Sequence, residues 1–376
     1  MDGGTAATLR IDLGALVANY ALIARQVAPA SVAGVVKADA YGLGAVQVSH
    51  ALLAAGCRHF FVAHLCEATA LKPHLPPDIA LYVLNGLPPG AQAACAALGA
   101  VPVLNSLAQI DAWAAAARTL GHALPGVIQV DTGMSRLGLT PGELAILSDH
   151  PHLLDGIDLQ LVMTHLACAD QPDDGFNRDQ RDRFDAIASQ FPGVPRSIDN
   201  SGGAMAAGVR HGDLVRAGIA LYGGAPHGDP NPMRAMIVLE AYIVQLQAVS
   251  TGAGVGYGLT HRCDRPSHIA TLSVGYGDGW PRHLSGRGSA YIGGLRAPIV
   301  GRVSMDSMAI DVTDIADHLL YPGAPVELIG QHQTIDAVSA QADTISYEIL
   351  TRLGHRYARS YLPAPAAAAD QRSDTP

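Results

Sequence analysis

Short β-rich runs alternate with longer alanine- and leucine-rich stretches over the first two-thirds of the chain. The strand-like runs are SVAGVVKA (31–38), HFFVAHL (59–65), IALYVLN (79–85), AVPVLN (100–105), GVIQVD (126–131), IDLQLVMTHL (157–166), RSIDN (196–200) and DLVRAGI (213–219). Helix-length segments such as LAQIDAWAAAARTLG and FNRDQRDRFDAIASQF separate most of them, while SGGAMAAGVR, after Asn200, leaves room for a brief helix. Eight strands separated by helices predict a parallel sheet, and eight is the number that closes a (β/α)8, TIM-like barrel. An open doubly wound sheet is the alternative. Its dinucleotide-binding version is weakened because no G-x-G-x-x-G follows the first strand.

From about residue 235 the texture changes. MIVLEAYIVQLQAV, SHIATLSVGYG, GSAYIGGLRAPIVGRV, MAIDVT and PVELIG are strand-like runs broken by Gly and Pro, which predicts a separate, mostly-β domain. The breakers of GDPNPMR place the boundary near Asp229–Arg234, giving a barrel over 1–234 and a β domain over 235–362. The strand at 8–12 precedes the first barrel helix and is expected to pair with the β domain. The low-complexity end, 363–376, is expected to be a disordered tail.

Composition narrows the function classes. With 376 residues, 49% hydrophobic and 15% charged, the chain can bury large cores and is neither disordered nor a coiled coil. A net charge of −9 without a basic stripe argues against general nucleic-acid binding. No apolar run reaches the ~18 residues of a membrane span. The opening MDGGTAATLR lacks a charged region followed by an apolar one, so a cytoplasmic location is expected. Five scattered cysteines without a C-x-x-C pair fit a reducing compartment and argue against zinc. Of the 24 Lys and Arg, two are lysines, Lys37 and Lys72. Arginine replaces lysine as a surface charge but not as an amine nucleophile, which directs attention to any lysine retained.

Lys37 stands at the end of the first barrel strand, in VVKADAYGLG. Barrel strands present ligand-facing groups at their carboxyl ends, and a lysine emerging from an apolar strand has a lowered pKa and a neutral amine that forms imines with aldehydes. The other strand ends add Arg136 (DTGMSRLG), His165 (MTHLACAD), Asn200 and Ser201 (IDNSGG), and Arg216, Gly218 and Ile219 (VRAGIALYG). Ser201 with the backbone N–H groups of Gly202, Gly218 and Ile219 reads as a phosphate cradle. One amine, two arginines, a histidine and such a cradle suit a phosphorylated aldehyde, pyridoxal 5'-phosphate.

With these residues in order, the chain resembles the alanine racemases, pyridoxal-phosphate-dependent enzymes of fold type III. VVKADAYGLG resembles their PLP-lysine motif, and DTGMSRLG, THLACAD, NSGG, VRAGIALYG, GYGDGWPR, GRVSMD, TISYEIL and RYARSY follow in the family's order from about residue 8 to 361. The resemblance implies an isomerase interconverting L- and D-alanine through two bases, supplying D-alanine for peptidoglycan. Lys37 holds the cofactor and acts on the D-isomer. Tyr276 acts on the L-isomer from the opposite face and comes from the partner subunit of a head-to-tail homodimer. It also implies that His165, backed by Arg216, tunes Tyr276, and that Arg216 leaves the cofactor's ring nitrogen unprotonated. Tyr41, Ser201 and Tyr347 match phosphate contacts, Arg136 and the backbone at Met305 hold the substrate carboxylate, and Arg302 and Asp306 line the access corridor, which Tyr347 narrows.

Three departures from the family stand out. Gln129 replaces a lysine that many members carbamylate; its carbonyl is expected to accept from Arg136. Ser135 and Gly202–Gly203 stand where the family often has Gly and alanines. His150 and His152 have metal-ligand spacing but fall at the barrel's bottom face, so no metal site is expected. Rival readings are a broad-specificity or serine-preferring racemase, a non-catalytic PLP-binding barrel, and a D-amino-acid lyase.

Overall fold

In the computed structural model the described residues are 7–228 and 230–363; the expected tail beyond 363 and Asp229 of the breaker segment lie outside them. The strands are β1 (Ala7–Asp12), β2 (Ser31–Val35), β3 (His59–Val62), β4 (Ala80–Val83), β5 (Val101–Leu104), β6 (Leu124–Gln129), β7 (Ile157–Met163), β8 (Arg196–Ser197), β9 (Leu214–Ala217), β10 (Ile237–Val249), β11 (Gly254–Val255), β12 (His261–Arg262), β13 (Ser267–Leu272), β14 (Ser289–Ile292), β15 (Leu295–Val300), β16 (Met308–Asp311), β17 (Pro325–Ile329) and β18 (Ala358–Leu362).

Strands β2 to β9 form one parallel sheet in the order β8-β7-β6-β5-β4-β3-β2-β9. Its two ends meet: the Asp213 N–H donates to the Arg196 carbonyl at 2.8 Å, and the Arg216 N–H to the Asp199 carbonyl at 2.9 Å. The sheet is therefore a nearly closed (β/α)8 barrel, and the open alternative is set aside. Phe60, Phe61, Val62, Val103, Leu104, Val127 and Ile128 are buried at consecutive positions. Side chains alternate sides along a strand, so consecutive burial means both faces are covered, one by the barrel interior and one by helices.

The helices begin where local chemistry caps them. Asp12 accepts from the Ala15 N–H to open Leu13–Val27, whose buried Leu16, Tyr20, Ile23 and Val27 fall at helical spacing. Thr140 and Glu143 form a capping box at the start of Pro141–Asp149.

The second sheet runs β13-β16-β15-β14-β17-β10-β1-β18, and β13 also pairs with β10. The 13-residue β10 serves both sides by pairing with β1 and β17 through its first half and with β13 through its second, across an irregularity between Ile243 and Gln245. β1 lies between β10, antiparallel, and β18, parallel, with Leu9 opposite Leu239 and Arg359. Polar side chains tie the barrel to the segment that leads into this sheet and to the helix Ile335–Gln341 that follows β17. Asn19 donates to the carbonyls of Leu221 and Arg234 and accepts from the Arg234 N–H, and Asp336 accepts from the Ala225 N–H and Asn231 Nδ2. No helix among the described residues is long and apolar enough to cross a membrane.

Candidate active site

A cavity of about 600 Å³ opens at the carboxyl ends of the barrel strands, lined by Lys37, Tyr41, Gln129, Arg136, His165, Asn200, Ser201, Arg216, Gly218, Ile219 and Tyr347 together with Val35, Ala63, Leu84, Asn85, Leu137 and Met163. The polar groups converge because all but Tyr347 lie on or after the ends of barrel strands (Lys37 and Tyr41 after β2, Gln129 and Arg136 at β6, His165 after β7, Asn200 and Ser201 after β8, Arg216 on β9). Closure of the barrel brings those ends into one ring, which Tyr347 joins from the helix Ser346–Arg352.

Lys37 follows β2 by two residues and opens an unusual turn. Ala38, Asp39, Ala40 and Tyr41 all have φ between 52° and 57°, a run in the left-handed region. Each non-glycine residue there costs roughly 1–2 kcal/mol. Hydrogen bonds hold the run: Glu67 Oε1 accepts from the Ala38 N–H at 2.6 Å, and Asp39 Oδ1 from the Ala45 N–H at 2.7 Å. Tyr41, at the end of the run, is buried against the ring of Tyr222 at 4.6 Å, with Tyr347 at 5.8 Å. Tyr222 in turn donates to the Val35 carbonyl at 2.8 Å.

Burial lowers the Lys37 pKa below its usual 10.5, and the charges of Arg136 and Arg216 lower it further while Glu67 opposes them. Arg216 is 3% exposed. Its guanidinium donates to Ser197 Oγ, to the Thr164 carbonyl at 2.7 Å and to the Ile198 carbonyl at 3.4 Å, and lies 3.2 Å from His165 Nδ1. Burial pushes its pKa down to about 10, which still leaves it protonated near neutrality. A guanidinium only donates, so His165 Nδ1 accepts and the neutral ring carries its proton on Nε2. His165 is neutral because burial, then the charges of Arg216, Arg136 and Lys37, hold its pKa well below 6.5.

Three expected details differ. The Gly218 N–H is already bound to Ser201 Oγ at 2.9 Å, and the Ala220 N–H reaches the same oxygen at 3.3 Å, so the hydroxyl organises this corner by accepting. Gly202 is not among the residues lining the cavity, and its carbonyl accepts from His227 Nε2. Gln129 does not accept from Arg136 among the described contacts. Its Nε2 donates to the Leu137 carbonyl at 3.1 Å, bracing the backbone one residue beyond Arg136. Ser135, where relatives often have Gly, sits at φ +56° beside Arg136. At Gly202 and Gly203 a Cβ would stand 2.3 Å from the Ala169 carbonyl and from Asp199 Oδ1, so alanines do not fit without movement.

Tyr276, Met305, Arg302 and Asp306 are not at this cavity. All four lie on the β domain, where the Tyr276 N–H donates to the Ser304 carbonyl and the Gly277 N–H to the Met305 carbonyl, while Arg302 lines a separate depression with Arg282, His283, Ser285 and Arg287. Tyr276 is 39% exposed and Met305 52%. Sequence reading missed Glu67 and Tyr222, which brace the Lys37 turn from other elements. The one available signal for Glu67 was its place three residues after His64, where a carboxylate caps a helix start. Among the described residues no three His, Cys, Asp or Glu side chains are grouped as a metal ion would need.

Comparison with known proteins agrees with this geometry. Residues 11–226 match the model of the alanine racemase N-terminal domain and residues 236–361 that of the alanine racemase C-terminal domain. A catabolic alanine racemase of Agrobacterium fabrum is 49% identical over 370 residues, covering 97% of this chain and 95% of the relative. An alanine racemase of Brucella suis is 49% identical over 368 residues, covering 94% and 93%. Among solved structures, the Bartonella henselae alanine racemase with covalently bound pyridoxal phosphate superposes with a TM-score of 0.92 at 43% identity, over 96% of this chain and 100% of that one. The biosynthetic enzyme of Pseudomonas aeruginosa gives 0.88 at 32% identity, over 96% and 100%. With both domain models in order along the chain and the strand-end chemistry gathered in one cavity, the chain belongs to the alanine racemase family.

Proposed function

We propose that the chain is a pyridoxal-phosphate-dependent isomerase that interconverts L- and D-alanine, with Lys37 and Tyr276 as its two bases. The observation that carries this reading is the donor set of the cavity: one amine, two arginines and a neutral histidine, with no carboxylate among the lining residues. That set suits a ligand bearing an aldehyde, a phosphate and, beside them, a substrate carboxylate. The walls fit as well. A Cβ at Gly218 would stand 2.4 Å from the Tyr41 hydroxyl, so the missing side chain lets backbone and phenol share one corner.

Pyridoxal phosphate supplies an aldehyde for the substrate's amine and a conjugated ring that spreads the electron pair left when the Cα–H bond breaks. Lys37 is the amine that would hold it covalently. Tyr41, Ser201 and Tyr347 would face its phosphate with Asn200, Gly218 and Ile219 around them, and Arg216 its ring nitrogen. Because Arg216 donates and stays protonated, it would face that nitrogen as a hydrogen-bond donor without giving up its proton, the arrangement expected of a weaker electron sink. Arg136 and the backbone at Met305 would orient the substrate carboxylate. Racemisation takes a proton from one face and returns one to the other, so one base is not enough. Lys37 serves the D-isomer. Tyr276 serves the L-isomer from a second copy of the chain, assisted by the Nε2–H of His165, and its exposure on the β domain, away from its own chain's cavity, supports that reading. Arg302 and Asp306, both exposed on the same domain, would border the access corridor.

The homodimer, the cytoplasmic location, the division at about residue 234 and the supply of D-alanine to peptidoglycan belong to the same proposal. Expression in a D-alanine auxotroph checks the last: growth without added D-alanine is expected, and continued dependence despite expression would count against it. The central test is borohydride reduction of the holoenzyme with peptide mapping and a coupled D-alanine assay. Label on Lys37 and turnover in both directions are expected; label on another residue would overturn the assignment.

A further inference from the structure

We infer that Arg356 is a positioning residue that locks the Tyr276 turn against the loop carrying Met305 and so fixes where the Tyr276 phenol is presented. The inference rests on the reading of Tyr276 as a base.

Tyr276 opens a single 3-10 turn, Tyr276–Asp278, entered from Gly275 and left at Gly279 with φ +91°. So short a turn has little packing of its own. Asp278 supplies its internal tie: Oδ2 accepts from the Gly275 N–H at 2.9 Å, and the side chain is 4% exposed. The other oxygen, Oδ1, faces Arg356 Nη1 at 3.5 Å. That same nitrogen lies 2.5 Å from Oδ1 of Asp306, the residue after Met305. One guanidinium therefore joins two carboxylates carried by separate segments.

The segments are also pressed together along their backbones. The Tyr276 N–H donates to the Ser304 carbonyl at 2.9 Å and the Gly277 N–H to the Met305 carbonyl at 2.8 Å. At Gly277 a Cβ would stand 3.0 Å from the Met305 carbonyl oxygen and 3.4 Å from Arg356 Nη1, so the guanidinium lies directly against the turn. Without Arg356 the buried Asp278 carboxylate keeps one backbone donor and faces Asp306 with no cation between them. The turn that carries the phenol, and the loop whose backbone would meet the substrate carboxylate, then lose their shared anchor. A displacement of about 1 Å at a reacting group is enough to cost about 100-fold in rate.

The role predicts an asymmetry that general loosening does not. Tyr276 removes the proton in the L-to-D direction and returns it in the other, whereas Lys37 is untouched. In the Arg356→Gln holoenzyme, kcat is expected to fall about 10- to 100-fold. The α-deuterium isotope effect should rise with the L-substrate and fall towards unity with the D-substrate, while the cofactor absorbance stays unchanged. Arg356→Lys should recover part of both the rate and the symmetry, and Asp306→Asn should shift the isotope effects the same way but less. Asp306→Asn also serves if Arg356→Gln fails to fold. Unchanged kcat, or a rate loss with both isotope effects unmoved, would overturn the inference. Tyr276→Phe separates the two ideas. Full activity there removes the base assignment itself. Loss there with unaltered isotope effects in Arg356→Gln and Asp306→Asn removes only the positioning role.

Discussion

At the scale of residues, the cavity is governed by which groups can give up a proton. Arg216 cannot near neutrality, and its hold on His165 Nδ1 fixes the imidazole as neutral with Nε2 protonated. Lys37 can, because burial and two neighbouring guanidinium groups disfavour its charged form. The neutral amine is the nucleophile, so loading of the apo-protein with pyridoxal phosphate should accelerate as pH rises through the Lys37 pKa. Its midpoint should lie below the usual 10.5. Arg136→Met removes a like charge and should raise that midpoint; Glu67→Gln removes an opposite one and should lower it. Absorbance-detected loading rates across pH check both signs, and movement of both midpoints in one direction would contradict the electrostatics. Lys37, Arg136, His165 and Arg216 were legible in the sequence because each lies at or near the end of a predicted strand. The partner of Gln129 was not. A glutamine offers both a donor and an acceptor, and which one is used depends on how the backbone at Leu137 turns.

At the scale of elements, the left-handed run after Lys37 is strained backbone held by its surroundings. β18, more than 300 residues away in sequence, takes part. Arg359 Nη1 donates to the Gly42 carbonyl, its Nη2 to the carbonyls of Leu353 and Gly354, and the Tyr361 hydroxyl to the Leu43 carbonyl at 3.1 Å. Arg359→Gln should therefore lower the unfolding free energy by about 2 kcal/mol, since charge-assisted hydrogen bonds are lost. Ala38→Gly, at an exposed position in the run, should raise it by about 0.5 kcal/mol, because relief of φ strain outweighs the added freedom of the unfolded chain. Denaturant unfolding of the two variants checks both signs. The strands and helices around this turn could be read from local pattern. A left-handed run of Ala, Asp, Ala and Tyr could not, because no local preference favours it and only contacts from Glu67, Tyr222 and β18 make it tolerable.

At the scale of the whole molecule, one chain carries a cavity with the amine and, elsewhere on its surface, the exposed tyrosine. If the site is completed by a second copy, two inactive variants should rescue each other. Equal mixing of Lys37→Ala and Tyr276→Phe subunits with exchange should restore about one quarter of the normal activity, since half the dimers are mixed and each has one intact site. Activity staying at the level of the separate variants would place Tyr276 within its own chain's site. The sequence by itself determined the barrel of eight strands, the mostly-β character of the second half and the residue types gathered at the strand ends. Those follow from local periodicity, from turn-forming residues and from the rule that parallel strands align their carboxyl ends. Tertiary structure alone decided the left-handed turn beside Lys37, the donor role of Gln129, the use of Ser201 as an acceptor and the bridge of Arg356 between Asp278 and Asp306. The donor role of Gln129 depends on how the chain turns back at Leu137, eight residues on, and the others on pairings between segments farther apart, which exist only once the fold has fixed the distance between them.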